Sequence, residues 1–128
     1  MLVHFPIALA LIAAAAEALG IATRRPACHG LALAAIRTGA LFAAVAAAAG
    51  WLFARDAGAA SNGLEIHRWL AIGSTATMIA ASLLTLRLPA SPQSRRLYRV
   101  LLFVSALGIG VTAHLGGMLV WGENFLHI

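Results

Sequence analysis

The stretch Gly110-Val-Thr-Ala-His114-Leu-Gly-Gly-Met-Leu-Val-Trp-Gly-Glu-Asn124 closes the last apolar segment of the chain and places a histidine inside it. An imidazole is costly in hydrocarbon unless something binds it, so an ionisable residue inside a membrane segment suggests a functional site. Gly110 and Gly117 lie four residues before and three residues after His114, which places them on its face of a helix. They leave room for a flat group or for a closely packed neighbouring helix.

The composition is that of a membrane protein. Of the 128 residues, 62% are hydrophobic and 10% are charged, whereas soluble domains have about 45–50% apolar and about 25% charged residues. The length suits a single domain, residues 1–128. The net charge of +5 comes from arginine, with no lysine, and arginine at membrane faces explains it better than nucleic-acid binding. With Cys28 as the single cysteine, an internal disulfide and a C-x-x-C-H haem attachment are both excluded.

Four apolar segments predict an all-α fold, a four-helix transmembrane bundle with up-down-up-down topology. The expected spans are residues 2–23, 31–54, 64–88 and 96–121, each long enough for a bilayer that needs roughly 20 apolar residues, and the short turns between them favour antiparallel neighbours. Asn62, followed by Glu65, is the expected N-cap of the third helix. No basic region precedes the first segment, so we interpret it as a mature spanning helix rather than a signal peptide.

The arginines predict the orientation. The first and third turns carry most of them: Arg24, Arg25, Arg87, Arg95, Arg96 and Arg99. The positive-inside rule then places both termini on the periplasmic side of a bacterial inner membrane. Trp51, Trp69 and Trp121 fall at that outer end, as expected for an interfacial aromatic belt.

Three histidines reach the outer half of the predicted bundle. His67 and His114 lie on consecutive antiparallel helices with small residues around them, so they could clasp haem b as two axial ligands. His4 is the third candidate, and Arg68 and Arg55 are placed to neutralise haem propionates. The alternative cofactor is a Zn, Fe or Cu ion on the same three histidines with an acid such as Glu65 or Glu123. A histidine in such a helix can also be structural and bond a neighbouring backbone or hydroxyl group.

Charged residues at the other end have simpler interpretations. Glu17 and Arg37 should lie at equal depth on adjacent helices, which predicts an ion pair, with a proton path as the alternative. The cluster of Arg95, Arg96 and Arg99 is expected to set orientation and to bind anionic lipid headgroups. His29 and His127 are expected to face solvent or headgroups.

The opening Leu2-Val-His4-Phe-Pro-Ile-Ala-Leu9 resembles the start of an uncharacterised bacterial family of four-helix membrane proteins. The segments His67-Arg68 and His114-Leu-Gly-Gly-Met-Leu-Val-Trp-Gly122 are similar to other recurrent pieces of that family. Relatives of this type are sometimes fused to c-type cytochrome domains, so the resemblance implies redox partners and a haem-bearing membrane part.

The function expected from these features is that of a small b-type cytochrome-like subunit. It would pass electrons between the quinone pool or a membrane partner and a periplasmic redox protein. The alternatives are a cofactor-free accessory subunit of a larger redox or photosynthetic membrane complex, and a protein that binds a transition metal. No nucleophile–base pair, phosphate loop or carboxylate pair indicates an enzyme, and no feature indicates nucleic-acid binding.

Overall fold

The computed structural model of the chain, which describes residues 3–56, 62–87 and 91–122, contains four long helices. These are α1 (His4–Thr23), α2 (Pro26–Asp56), α3 (Asn62–Leu84) and α4 (Pro92–Trp121), and a 3₁₀ turn at Thr85–Arg87 follows α3. Each helix packs against the next one, and α4 also packs against α1, which closes the ring. The prediction of an all-α, up-down-up-down four-helix bundle is confirmed.

Two helices begin earlier than the sequence predicted, and proline explains both starts. Arg24 adopts a left-handed conformation (φ 56°) that ends α1, and α2 begins two residues later at Pro26 rather than at Leu31. Helix α4 begins at Pro92 rather than at Arg96, after Ser91, whose Oγ accepts a hydrogen bond from the backbone N–H of Ser94 at 3.1 Å. Proline suits the first helical turn because its missing N–H has no partner there.

The start and end of α3 also differ from the prediction. Asn62 is itself the first helical residue, so the capping position is residue 61, which lies outside the described residues. The α-helix ends at Leu84, and the 3₁₀ turn carries the chain to Arg87.

The bundle interior is built mainly from alanine. Nine of the fourteen buried hydrophobic residues in the described part of the chain are alanines, whereas large side chains such as Leu41, Phe53 and Leu107 are more than 70% exposed. Without a difference in hydrophobicity between the interior and lipid, membrane helices associate through close packing of small residues. The exposed leucines and phenylalanines therefore suit a lipid-facing surface.

Glycines permit the closest helix contacts. A Cβ at Gly39 of α2 would meet Met78 Cε of α3 and would lie 3.1 Å from Leu9 Cβ of α1. A Cβ at Gly108 of α4 would lie 2.5 Å from Ser74 Oγ of α3. Gly39 and Gly108 thus bring neighbouring helices together.

Among the described residues, three helices are long and apolar enough to cross a membrane: α1, residues 26–53 of α2, and α4. The third helix has Glu65, His67 and Arg68 in its first two turns, which lower its mean hydropathy. A fourth span through α3 remains a prediction. At 31 and 30 residues, α2 and α4 are each about 45 Å long, compared with a hydrocarbon core of about 30 Å.

Candidate functional site

His67 packs at the contact between α3 and α4. Its side chain is partly buried, and a Cβ at Gly116 would lie 3.0 Å from His67 Cε1. Its Nδ1 is buried and has no hydrogen-bond partner among the described residues. The imidazole therefore lies over Gly116, whereas a Cβ at Gly110 would meet nothing within 4 Å.

Arg68 is held by an aromatic ring. Its guanidinium carbon lies 4.2 Å from the centroid of the Trp51 ring on α2, which is a cation–π contact. Its Nε is buried without a hydrogen-bond partner in the described part of the chain. The predicted role of Arg68 at a propionate remains a prediction, and the side chain of Arg55 lies outside the described residues.

His114 faces outward from the bundle. Its side chain is exposed and makes no hydrogen bond or ion pair with the other described residues, and a Cβ at Gly110, one turn away, would meet nothing within 4 Å. Positions 114 and 116 differ by about 200° around a helix, at 3.6 residues per turn. The face of α4 that meets His67 is therefore not the face that carries His114, and the structure does not bring the two imidazoles together. Gly117 is partly buried.

The third candidate ligand, His4, is exposed at the first position of α1. Within residues 3–56, 62–87 and 91–122, no three His, Cys, Asp or Glu side chains converge as metal ligands. Glu123, the alternative acid ligand, and His127, which was expected to face solvent or headgroups, lie outside those residues. An open groove on α3 is lined by Asn62, Glu65, Ile66, Trp69 and Leu70 and does not include His67.

The best-connected polar cluster lies at the opposite, arginine-rich end, where Glu17 joins three helices. The Glu17 carboxylate is 3% exposed and accepts hydrogen bonds from His29 Nδ1 of α2 and from Arg99 Nε of α4, each at 2.8 Å. Both partners are about one-third exposed. We call Glu17, His29 and Arg99 the Glu17 clamp. It neutralises a carboxylate that would be costly alone inside the bundle.

Gly20 makes the clamp possible. It lies one turn after Glu17 on α1, and a Cβ there would lie 2.8 Å from the His29 ring. The imidazole therefore packs flat on the α1 backbone while it reaches the carboxylate. Next to the clamp, Tyr98 is buried, and its hydroxyl has no hydrogen-bond partner among the described residues.

Arg37 has a different partner from the one predicted. Its Nε donates to Thr85 Oγ1 at 2.7 Å and its guanidinium donates again to the Thr85 carbonyl at 3.1 Å. The predicted Glu17–Arg37 ion pair is wrong, because α4 packs against α1 and brings Arg99 to Glu17 instead. His29 was expected to face solvent or headgroups; its side chain is about one-third exposed, and its ring also bonds Glu17.

The sequence analysis missed Arg99 as a partner of Glu17 because it paired only helices that follow one another along the chain, and it missed His29 because that residue was assigned to solvent or headgroups. Two signals were available: Gly20 shares a helix face with Glu17 at a spacing of three residues, and His29 follows just after the turn. The contact between α1 and α4 had no comparable local signal, so Arg99 was interpreted as a headgroup arginine.

These features define a small α-helical integral membrane protein. The family model for DUF2231, described as a predicted membrane protein, matches residues 1–125. The chain therefore belongs to the DUF2231 family of predicted membrane proteins. Searches of curated proteins and of solved structures found no match to the chain.

Proposed function

We propose that this protein is a non-catalytic accessory subunit that binds another membrane protein through the outer face of α4. The observation that carries the proposal is the exposed imidazole of His114, which has no partner among the described residues. It lies about seven residues from the end of α4, roughly 10 Å along the helix. A polar side chain at such a depth is normally covered by a helix or a ligand.

The surroundings of His114 fit a helix contact. Leu107 is 71% exposed and lies seven residues before His114 on the same helix face. Gly110 lies between them with open space beside it. A partner helix can approach the α4 backbone closely at Gly110 and can offer a carbonyl or hydroxyl group to the imidazole, as polar side chains between membrane helices do. We name the surface formed by Leu107, Gly110 and His114 the α4 outer face.

The test compares three glycines at which an added Cβ would meet nothing within 4 Å: Gly110, Gly73 and Gly50. Gly110→Leu should block the α4 outer face. Gly73→Leu on α3 and Gly50→Leu on α2 are the controls and should leave that face open, because they lie on other helices. The mass of the native assembly is measured in mild detergent extracts of the source membrane.

The wild-type chain and both controls should migrate in one discrete assembly well above the 13.2 kDa of the chain. Gly110→Leu and His114→Leu should release the free subunit. A wild-type chain that migrates alone, or a Gly110→Leu chain that stays in the assembly, would contradict the proposal.

A haem-carrying electron-transfer subunit is the second candidate, and the outward position of His114 favours it because an axial ligand must be able to reach an iron. Within one chain the residues do not fit a haem clasped by two histidines: His67 lies on Gly116, while His114 points outward. A second ligand for such a haem would have to come from another molecule. This second proposal also includes a location in the bacterial inner membrane with both termini on the periplasmic side. Its electron-transfer partner would be a quinone or a periplasmic redox protein.

An oxidised-minus-reduced absorption spectrum of the detergent-purified protein separates the two candidates. Sharp reduced α and Soret bands that disappear in His114→Leu and persist in His67→Leu would support the haem subunit. A spectrum without these bands from haem-replete, folded protein would exclude the haem subunit. A metal-binding role is tested on the same sample by elemental analysis for Zn, Fe and Cu.

A further inference from the structure

The arginine-rich end of the bundle carries two helix N-termini. Helices α2 and α4 run in the same direction and begin there, at Pro26 and Pro92. Through α1, the Glu17 clamp ties the first turn of α2 to a residue two turns into α4. The N-terminal end of a helix carries a partial positive charge, which favours anions. In this up-down bundle α1 and α3 end at the same surface, and their negative ends offset the positive ends of α2 and α4. The attraction for anions therefore comes mainly from the side chains beside the helix starts.

Four exposed arginines surround these helix starts: Arg24, Arg25, Arg95 and Arg96. None of their side chains makes a hydrogen bond or an ion pair with another residue in the described ranges. Arg99 is different because its Nε is bound to Glu17. We call the four arginines the basic rim.

Within the part of the chain that the structure describes, no acidic residue competes for the basic rim. The sequence has four acidic residues. Asp56 and Glu65 lie at the opposite end of the bundle, at the end of α2 and the start of α3, and Glu123 lies outside the described residues. The fourth, Glu17, is 3% exposed and already accepts hydrogen bonds from His29 and Arg99. The rim therefore keeps its full positive charge toward its surroundings.

The depth of the rim indicates which anions it meets. Helix α4 has 30 residues and is about 15 Å longer than a hydrocarbon core of about 30 Å. Its first turns, and those of α2, extend into the layer of lipid headgroups. Arginine binds phosphate oxygens with two parallel hydrogen bonds, which makes it the preferred side chain for such groups.

We propose that the basic rim binds the headgroup phosphates of anionic phospholipids. Phosphatidylglycerol presents a net negative charge, whereas phosphatidylcholine carries a compensating choline cation. The rim should therefore distinguish these two lipids. This inference is independent of what the α4 outer face binds.

The test titrates phosphatidylglycerol, phosphatidylcholine or inorganic phosphate into the delipidated full-length protein in neutral detergent and follows thermal unfolding. Phosphatidylglycerol should raise the unfolding temperature, and phosphatidylcholine and inorganic phosphate should not. The effect should weaken as salt rises, because exposed charges are screened. Equal stabilisation by inorganic phosphate would mean a free-anion site, and equal stabilisation by phosphatidylcholine would mean a general lipid effect. Either result overturns the proposal.

The variants Arg24→Gln/Arg25→Gln and Arg95→Gln/Arg96→Gln locate the site. Each arginine removed should weaken phosphatidylglycerol binding by about fivefold. The matched Arg→Lys pairs keep the charge but lose the paired hydrogen bonds, so they should bind phosphatidylglycerol more tightly than the Gln pairs and more weakly than the wild type. Circular dichroism checks that the helices are intact. If a pair does not fold, the salt dependence and lipid selectivity of the wild type still decide the question, and unchanged affinity in both folded Gln pairs would refute it.

Discussion

Removing Arg99 should destabilise the bundle more than removing Glu17 does, although the two residues share one ion pair. The Glu17 carboxylate is 3% exposed in the wild type, and in Arg99→Ala it keeps only His29 as a partner. Breaking a buried pair and leaving a charge behind costs about 3–5 kcal/mol. In Glu17→Ala the groups left behind, His29 and Arg99, are about one-third exposed and can turn toward water or headgroups. We therefore expect a loss of about 3 kcal/mol for Arg99→Ala and about half of that for Glu17→Ala.

The assay is the free energy of unfolding in mixed micelles for both single variants and for Glu17→Ala/Arg99→Ala. The double variant should be more stable than Arg99→Ala alone, because it no longer contains a buried, poorly compensated carboxylate. Arg95→Ala, an exposed arginine on the same helix, is the control and should change the free energy by less than about 0.5 kcal/mol. Equal losses for the two single variants, or a double variant whose loss is the sum of theirs, would refute the reasoning.

Two further predictions concern packing and can be measured by the same unfolding assay. Tyr98→Phe removes a buried hydroxyl that has no partner among the described residues, so stability should stay the same or rise by up to about 1 kcal/mol; a loss of that size would show that the hydroxyl is bound. Gly39→Ala would press a methyl group onto Met78 and Leu9 and should cost about 1–3 kcal/mol, whereas Gly50→Ala, with nothing within 4 Å, should be neutral or gain up to about 1 kcal/mol. If Gly39→Ala were as stable as Gly50→Ala, the tight contact between α1, α2 and α3 would not exist.

The sequence was sufficient to predict the bundle because its signals are local. Apolar segments separated by arginine- and proline-containing turns predict helices, and short turns predict which helices are neighbours. The helix starts at Pro26 and Pro92 were placed a few residues too late, because the arginines beside them were interpreted as turn residues. Proline at the start of a helix was the better signal.

The candidate sites were harder to predict because they depend on how each helix is rotated about its axis and on the packing of α4 against α1. Depth along a helix follows from residue number, and on that basis His67 and His114 belong to the same end of the bundle. The direction in which each side chain points depends on which face of the helix is buried, and for α4 that face contains Gly116 rather than His114. The same limitation affected Glu17, whose depth was predicted but whose partner Arg99 is 82 residues away in the sequence.

The most direct test of the accessory-subunit proposal is site-specific photo-cross-linking in native membranes. Leu107 on the α4 outer face and Leu41 on α2 are each 71% exposed, and each lies fifteen residues after the start of its helix, so their depth and exposure match. A photoreactive amino acid at position 107 should give one discrete cross-linked protein, lost when Gly110→Leu is added, and position 41 should give only lipid adducts. Lipid adducts alone at position 107, or the same protein product from both positions, would contradict a partner on the α4 outer face.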